Sequence, residues 1–212
     1  MRLMTYNLKG LHLSARAAAA VVRASEPYVL AVQEPPRGPF GRCRMRRFGA
    51  SVGLEPVVSG RGARTTALLV RDPSAVRDAR AVRLSWRPGT TRRGVSVAVV
   101  DGITVVVVHF SLDRAERAAH LTRLLAEVVP TTRTVVLGDI NERPDGPAWA
   151  RLAAHLGAAA VPTGPTFPST RPVQRIDAVL PTPDLTVAGA FVPDGPEVEA
   201  GSDHRPIVAD LH

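Results

Sequence analysis

The sequence predicts an α/β sandwich built on mixed β-sheets. Segments that read as strands outnumber those that read as helices. Tight hairpin connections alternate with crossovers long enough to hold a helix, and an all-parallel sheet does not use the first nor an all-antiparallel sheet the second. The 212 residues suffice for one substantial core, and no linker-like stretch divides them, so a single domain over 1–212 is expected.

Leu3 to Asn7 reads as a short strand that Asn7 ends. Ser14 is placed to cap a helix running to about Ser25, with Ala18, Val21 and Val22 on its buried face. Tyr28 to Glu34 is the next strand, and Pro35 and Pro36 stop it with Glu34 at its end. From Arg37 to Arg64 glycine and arginine dominate and periodicity is weak, so this stretch reads as a solvated loop holding one or two edge strands. Ala67 to Val70 and, more weakly, Ala81 to Leu84 are strands. Val95 to Val100 and Ile103 to Val108 flank Asp101-Gly102, the signature of a hairpin with a two-residue type I′ turn.

Asp113 and Glu116 stand in capping-box spacing ahead of Ala118, Leu121, Leu124, Leu125 and Val128, which recur at helical spacing up to Pro130. Thr134 to Asn141 runs from buried-strand aliphatics into Gly138, Asp139 and Asn141. If that strand stays extended to Asn141, its side chain and that of Asp139 point the same way. Pro147 fits the first turn of a helix through Trp149 and Leu152 to Leu156, with Gly157 as its cap. Residues 158–174 read as a loop, Arg175 to Leu180 and Leu185 to Phe191 as strands, 193–202 as a loop, and Ile207 to Leu211 as the last strand.

The composition, 45% hydrophobic and 22% charged, is that of an ordinary globular domain. No run of 18 apolar residues occurs, so no membrane span is expected, and the residues after Met1 enter a strand pattern without an apolar leader core, which makes the cytoplasm the expected compartment. Cys43 alone can form neither an internal disulfide nor a paired-cysteine metal site. The net charge is +8, and every basic residue except Lys9 is arginine. That balance favours phosphate-bearing ligands, although alanine, arginine, glycine, proline and valine are abundant together, so part of it is a bias of the whole chain. With 5 Phe, 2 Trp and 2 Tyr, a base-stacking platform has little support.

Six strand ends carry Asn7, Glu34, His109, Asp139 with Asn141, Asp177, and Asp203 with His204. Singly, each has a plain structural explanation as a turn former, ion partner or surface residue. Jointly they match one chemistry. Phosphoester hydrolysis needs a hard cation against the phosphoryl oxygens, a positioned water and donors for developing charge. Glu34, Asp203 and Asn7 are oxygen ligands of the kind magnesium accepts, Asp139 can orient or deprotonate water, Asn141 and the histidines can donate, and Asp177 can fix His204. His12, His120, His155 and His212 are expected to be structural or surface residues.

The ordered motifs Thr5-Tyr6-Asn7, Val32-Gln33-Glu34, Val107-Val108-His109-Phe110-Ser111, Leu137-Gly138-Asp139-Ile140-Asn141, Arg175-Ile176-Asp177 and Ser202-Asp203-His204-Arg205-Pro206 resemble those of the endonuclease/exonuclease/phosphatase superfamily, over the whole chain. The resemblance implies a four-layer α/β/β/α sandwich, with two mixed β-sheets packed face to face and flanked by helices, and a phosphoesterase dependent on Mg²⁺ or Mn²⁺. It makes Glu34 the principal metal ligand with Asn7 and Asp203 nearby. Asp139 would align the attacking water, Asn141 would contact the phosphate, His204 would pair with Asp177 at the scissile phosphate, and His109 would take the middle histidine position. Where many members have Gly-Asn-Ala, this chain has Thr65-Thr66-Ala67, and Phe167 lies in a loop that lines the pocket or packs. Nucleic acid and a smaller phosphoester both remain open as substrate. A binding module without catalysis, or an enzyme of small-molecule metabolism reusing the site, would be the readings of other classes, and oligomeric state is not legible.

Overall fold

The computed structural model describes residues 1–212. In chain order its elements are β1 (Arg2–Asn7), α1 (Ala15–Ser25), β2 (Val29–Gln33), α2 (Gly41–Ser51), β3 (Glu55–Val58), β4 (Thr66–Val70), β5 (Val76–Arg83), β6 (Gly94–Val100), β7 (Ile103–His109), α3 (Arg114–Glu127), β8 (Thr134–Asp139), α4 (Pro147–Leu156), β9 (Asp177–Pro181), β10 (Val187–Phe191), α5 (Pro196–Gly201) and β11 (Ile207–Leu211). One sheet has six strands in the order β10-β11-β1-β2-β4-β3, the other five in the order β5-β6-β7-β8-β9. Each is mixed: β1–β2 and β7–β8 are parallel and their other pairings antiparallel.

Period-2 alternation makes the four layers. Leu3, Val29, Ala31, Leu68 and Ala209 from the first sheet face Ala98, Val105, Val107, Val135, Leu137 and Val179 from the second, forming the central core. The intervening positions face outwards. Met4, Tyr6, Leu30 and Leu69 pack under α1, α2 and α5, while Val106, Val108, Val136 and Leu180 pack under α3 and α4. The expected mixed-sheet sandwich is thus realised as α/β/β/α. No helix is long and apolar enough to cross a membrane.

Local signals are met in detail at most element ends. Ser14 Oγ accepts from Ala17 N at 3.1 Å, Pro147 opens α4, and Gly157 closes it at φ +71°. Asp101 and Gly102 both have positive φ, as a type I′ turn requires. Asp113 caps α3, accepting from Glu116 N at 2.7 Å, but the reciprocal half of the capping box is missing. Glu116 is buried and accepts from Arg87 N and Thr90 Oγ1 instead.

Two loop expectations are corrected. The arginine-rich stretch 37–64 contains α2, eleven residues long, because Met45, Phe48 and Gly49 supply a buried stripe at helical spacing that the surrounding arginines hide. Residues 193–202 contain the short α5, opened by Pro196 and anchored by Val198 and by Gly201 packed close against Ala18 of α1. The strand placed at Ala81 to Leu84 extends back to Val76, and that placed at Arg175 starts at Asp177.

Candidate active site

The inward-facing rows of both sheets turn polar at one end. On β1 the row Leu3, Thr5 ends at Asn7; on β7, Val105, Val107 ends at His109; on β8, Val135, Leu137 ends at Asp139. Register aligns these ends: His109 pairs with Asp139, and Asp139 with Asp177 across β9. The site is therefore the continuation of the central core where apolar side chains give way to titratable ones.

Asp139, His109, Asp177 and His204 are all buried. His109 Nε2 lies 3.4 Å from Asp139 Oδ2, and Asn7 Nδ2 donates to the same oxygen at 3.3 Å. His204 Nδ1 donates to Asp177 Oδ2 at 2.9 Å, and its Nε2 lies 3.9 Å from Asp139 Oδ2. Thr166 Oγ1 donates to Asp177 at 2.6 Å, and the Phe167 ring packs against His204 with centroids 4.9 Å apart. Asp177 is thus no partner of Arg175, whose guanidinium lies over Trp149.

The electrostatics separate the two histidines. Burial opposes charge on His204, but Asp177, Asp139 and Asp203 outweigh it and raise its pKa to about 9. His109 is held well below the usual histidine range, by burial first and then by the neighbouring Arg93 and His204 charges. Burial and the Asp177 charge push the Asp139 carboxyl up to about 7, against the attraction of His204. The site so contains one imidazolium donor, one neutral imidazole and a carboxyl poised to exchange a proton near neutrality.

Asn141 does not extend the β8 row. The strand ends at Asp139, Asn141 adopts φ +54°, its N–H donates to Asp139 Oδ1 at 2.9 Å and its amide donates to Phe110 O at 2.8 Å. The turn is fastened from behind by Glu142, which pairs with Arg117 of α3 at 2.9 Å and whose carbonyl accepts from Trp149 Nε1 of α4. Gly138 is required where β8 leaves the core. A Cβ there would stand 2.0 Å from Val108 O, at φ +141°. The Ser202 to Arg205 segment is tied down by Ser202 Oγ donating to Asn7 O and Arg205 Nε donating to Ser169 O.

Glu34 ends β2 at φ +49° with its side chain about half exposed and its Oε1 4.0 Å from His109 Nε2. It lines a cleft of about 240 Å³ together with His12, Arg37, Thr65, Arg93 and His109. Asp203 pairs with Lys9 Nζ at 2.7 Å, and Asn7 Oδ1 accepts from Lys9 N at 3.0 Å. The donor set of Glu34, Asn7 and Asp203 is all hard oxygen, the type a magnesium-like cation takes, and the Glu34 carboxylate lines the cleft without a hydrogen bond, but Asp203 would have to exchange its Lys9 partner for the ion. A second cluster, Asp139, Asp177 and His204, has ligand atoms within 4.8 Å of one another and could also hold an ion. Its Asp177 oxygen and His204 Nδ1 already satisfy each other, however, and the imidazolium would compete with a cation.

Sequence reasoning missed Arg93. It is 7% exposed, its Nη1 donates to His109 O at 3.3 Å, and its Nε is buried with no partner. Nothing in the sequence separates it from the exposed Arg92. Thr65, Thr166 and Lys9 were missed as well, and His12, expected at the surface, borders the cleft while exposed. Thr66, at the position where an amide was expected, is turned away and bridges the sheets, bonding Ser96 Oγ at 2.9 Å and Gly94 O at 3.2 Å.

A model of the Endonuclease/Exonuclease/phosphatase family matches residues 4–204. No curated protein matches the chain. Among solved structures, an endonuclease/exonuclease/phosphatase from Bacteroides vulgatus is similar at TM-score 0.77 and 18% identity, covering 100% of this chain and 98% of that one. An AP endonuclease from Archaeoglobus fulgidus is similar at TM-score 0.74 and 20% identity, covering 100% and 99%. D. rerio TDP2 complexed with a single-strand DNA product is similar at TM-score 0.67 and 18% identity, covering 100% and 98%. At these identities the likeness is one of fold.

Proposed function

Because the chain belongs to the endonuclease/exonuclease/phosphatase family, we propose that it hydrolyses phosphoester bonds with the help of a divalent metal, as a phosphodiesterase of the nuclease or small-phosphoester type. The observation that carries this reading is the row His109, Asp139, Asp177 across three neighbouring strands, with His204 fastened to its end.

Glu34, Asn7 and Asp203 would hold the ion, Mg²⁺ or Mn²⁺. When bound it supplies positive charge against the phosphoryl oxygens. The remaining chemistry falls to the chain's own side chains. Asp139, with its carboxyl near neutrality, orients the attacking water and takes its proton. Asn7 and the Asn141 N–H fix the Asp139 carboxylate from both sides, so its free lone pairs have one direction. His204, held charged by Asp177, donates from Nε2 to a phosphoryl oxygen, where it meets charge developing in the transition state. His109, kept neutral, donates a hydrogen bond without adding charge. Arg93, whose side chain borders the cleft, adds positive charge beside the phosphate. Asn141 contacts the phosphate when its amide leaves Phe110 O.

The test is hydrolysis of a bis-aryl phosphodiester and the matching monoester, with and without Mg²⁺ or Mn²⁺, by the native chain and by Asp139→Asn. Metal-dependent release lost in the variant supports the reading and ranks diester against monoester. Release that persists unchanged in Asp139→Asn rules it out.

A further inference from the structure

Beside the cleft, and sharing Pro35, Arg37 and Thr91 with it, opens a larger bay of about 640 Å³. Its walls come from the turn after β2, the first turn of α2, the turn before β4 and the segment before β6. Arg37, Arg42, Arg61, Arg64 and Arg92 line it, with no aspartate or glutamate among its residues and Met45 as its sole hydrophobic residue.

None of these five guanidiniums pairs with a carboxylate or donates a hydrogen bond within the chain, and only Arg92 has a partner, the face of Trp86 at 4.3 Å. Elsewhere five arginines do pair with acids: Arg2 with Asp210, Arg87 with Asp113, Arg117 with Glu142, Arg123 with Glu127 and Arg205 with Asp194. A bias toward arginine would distribute these residues but would not strip the acids from one concavity. Gathering like charges without counter-charge costs free energy in the ligand-free protein, a cost that an anion reverses.

Two further features point the same way. The N-terminal turn of α2, an eleven-residue helix, opens at Gly41 in the wall of the bay with no side-chain cap, so its unsatisfied N–H groups and dipole favour an anion there. Gly41 is needed for the start of α2 to pack against the turn after β2, since a Cβ would stand 2.4 Å from Pro36 O. The bay's Arg92 is followed in the chain by the buried Arg93, which lines the adjoining cleft and whose Nε has no partner.

We propose that this bay is a subsite for a second phosphate group of the substrate, so that the preferred substrate carries at least two phosphates, one in the cleft and one among the arginines. The proposal rests on the phosphoesterase reading for the first phosphate. With so little apolar or aromatic surface, the bay reads phosphate and not base or acyl chain.

The first arm is calorimetric titration of tripolyphosphate, in metal-free buffer, into the native chain, into Arg42→Gln/Arg61→Gln, and into Arg77→Gln/Arg80→Gln, a control pair exposed on β5. Loss of two charge-assisted contacts should weaken binding about tenfold or more in the first variant, and the control should match the native chain. No binding by the native chain, or equal weakening in both variants, overturns the proposal. The second arm compares kcat/KM for a dinucleotide with and without a 5′-phosphate, and for a sugar bisphosphate against its monophosphate. The native ratio should exceed about ten for one pair and collapse toward one in Arg42→Gln/Arg61→Gln. Which pair shows the ratio identifies a nucleic-acid or a small-molecule source. Ratios near one throughout overturn the proposal. If no compound is hydrolysed, the esterase reading fails, and the binding arm alone still decides the bay.

Discussion

Asp177 Oδ2 accepts from His204 Nδ1 at 2.9 Å, and that contact orients the ring and, with the Asp139 and Asp203 charges, keeps it protonated. With Nδ1 committed, Nε2 is left to face Asp139 across 3.9 Å, where a phosphoryl oxygen would enter. The two residues should behave as a unit. His204→Ala and Asp177→Asn are each expected to lower metal-dependent hydrolysis by about 10² to 10⁴, and the double variant to fall no further than the worse single one. Steady-state kinetics of the four proteins decide this, and additive losses would separate the pair.

Arg93 is expected to bind phosphate through its fork and not merely through its charge. Arg93→Lys should therefore recover little of the activity lost in Arg93→Ala, with kcat/KM down about tenfold or more in both. Full activity in the lysine variant would reduce the role to charge.

Glu34→Gln removes the one carboxylate that reaches into the cleft unbonded. Its half-saturating Mg²⁺ concentration should rise at least about tenfold while the far-UV spectrum stays native. An unaltered metal titration would move the ion to the Asp139, Asp177 and His204 cluster.

His120 gives a pH dependence of stability remote from the site. It is fully buried, its Nε2 lies 2.9 Å from Ser85 O, and its Nδ1 has no partner, so burial holds its pKa below 6.5 despite Ser85 and Glu116. The unfolded chain then binds a proton that the folded chain refuses. The contribution of His120 to stability should be flat above about pH 6.5 and fall as pH drops below it, by up to about 1.4 kcal/mol per pH unit. Urea unfolding at pH 7.5 and 5.5 should show a smaller loss for His120→Gln than for the native chain, and equal losses would contradict the assignment.

Gly138→Ala is expected to cost about 3 kcal/mol or more, because the added carbon meets the Val108 carbonyl and the backbone conformation disfavours a side chain. A lower denaturant midpoint at unchanged slope would register it.

Much of this architecture was legible because it is written in short-range periodicity. The hairpin at Asp101-Gly102, the caps at Ser14, Asp113 and Gly157, and the inward rows of β7 and β8 all follow from residues a few positions apart. The acidic and histidine members of the site were legible because strand ends are few and those side chains are rare there. Helix α2 was hidden by its arginines, whose polarity masks a stripe carried by Met45, Phe48 and Gly49. Arg93 was hidden because burial of a charge is a tertiary fact. Asn141 was placed near the site, but its positive φ follows from the Asx turn that Asp139 makes, which alternation along a strand does not anticipate.

The pairing of β1 with β11, Met4 against Val208, ties opposite ends of the sequence into the middle of one sheet. During synthesis β1 can pair early with β2, but its antiparallel neighbour β11 does not exist until Ile207–Leu211 has been made. The second sheet, whose strands are contiguous in sequence, can form meanwhile. Asn7 lies at the end of β1 and Asp203 just ahead of β11. The two ends of the cleft that these residues border are therefore joined only when β11 docks, so the site is completed by one of the last pairings the chain makes.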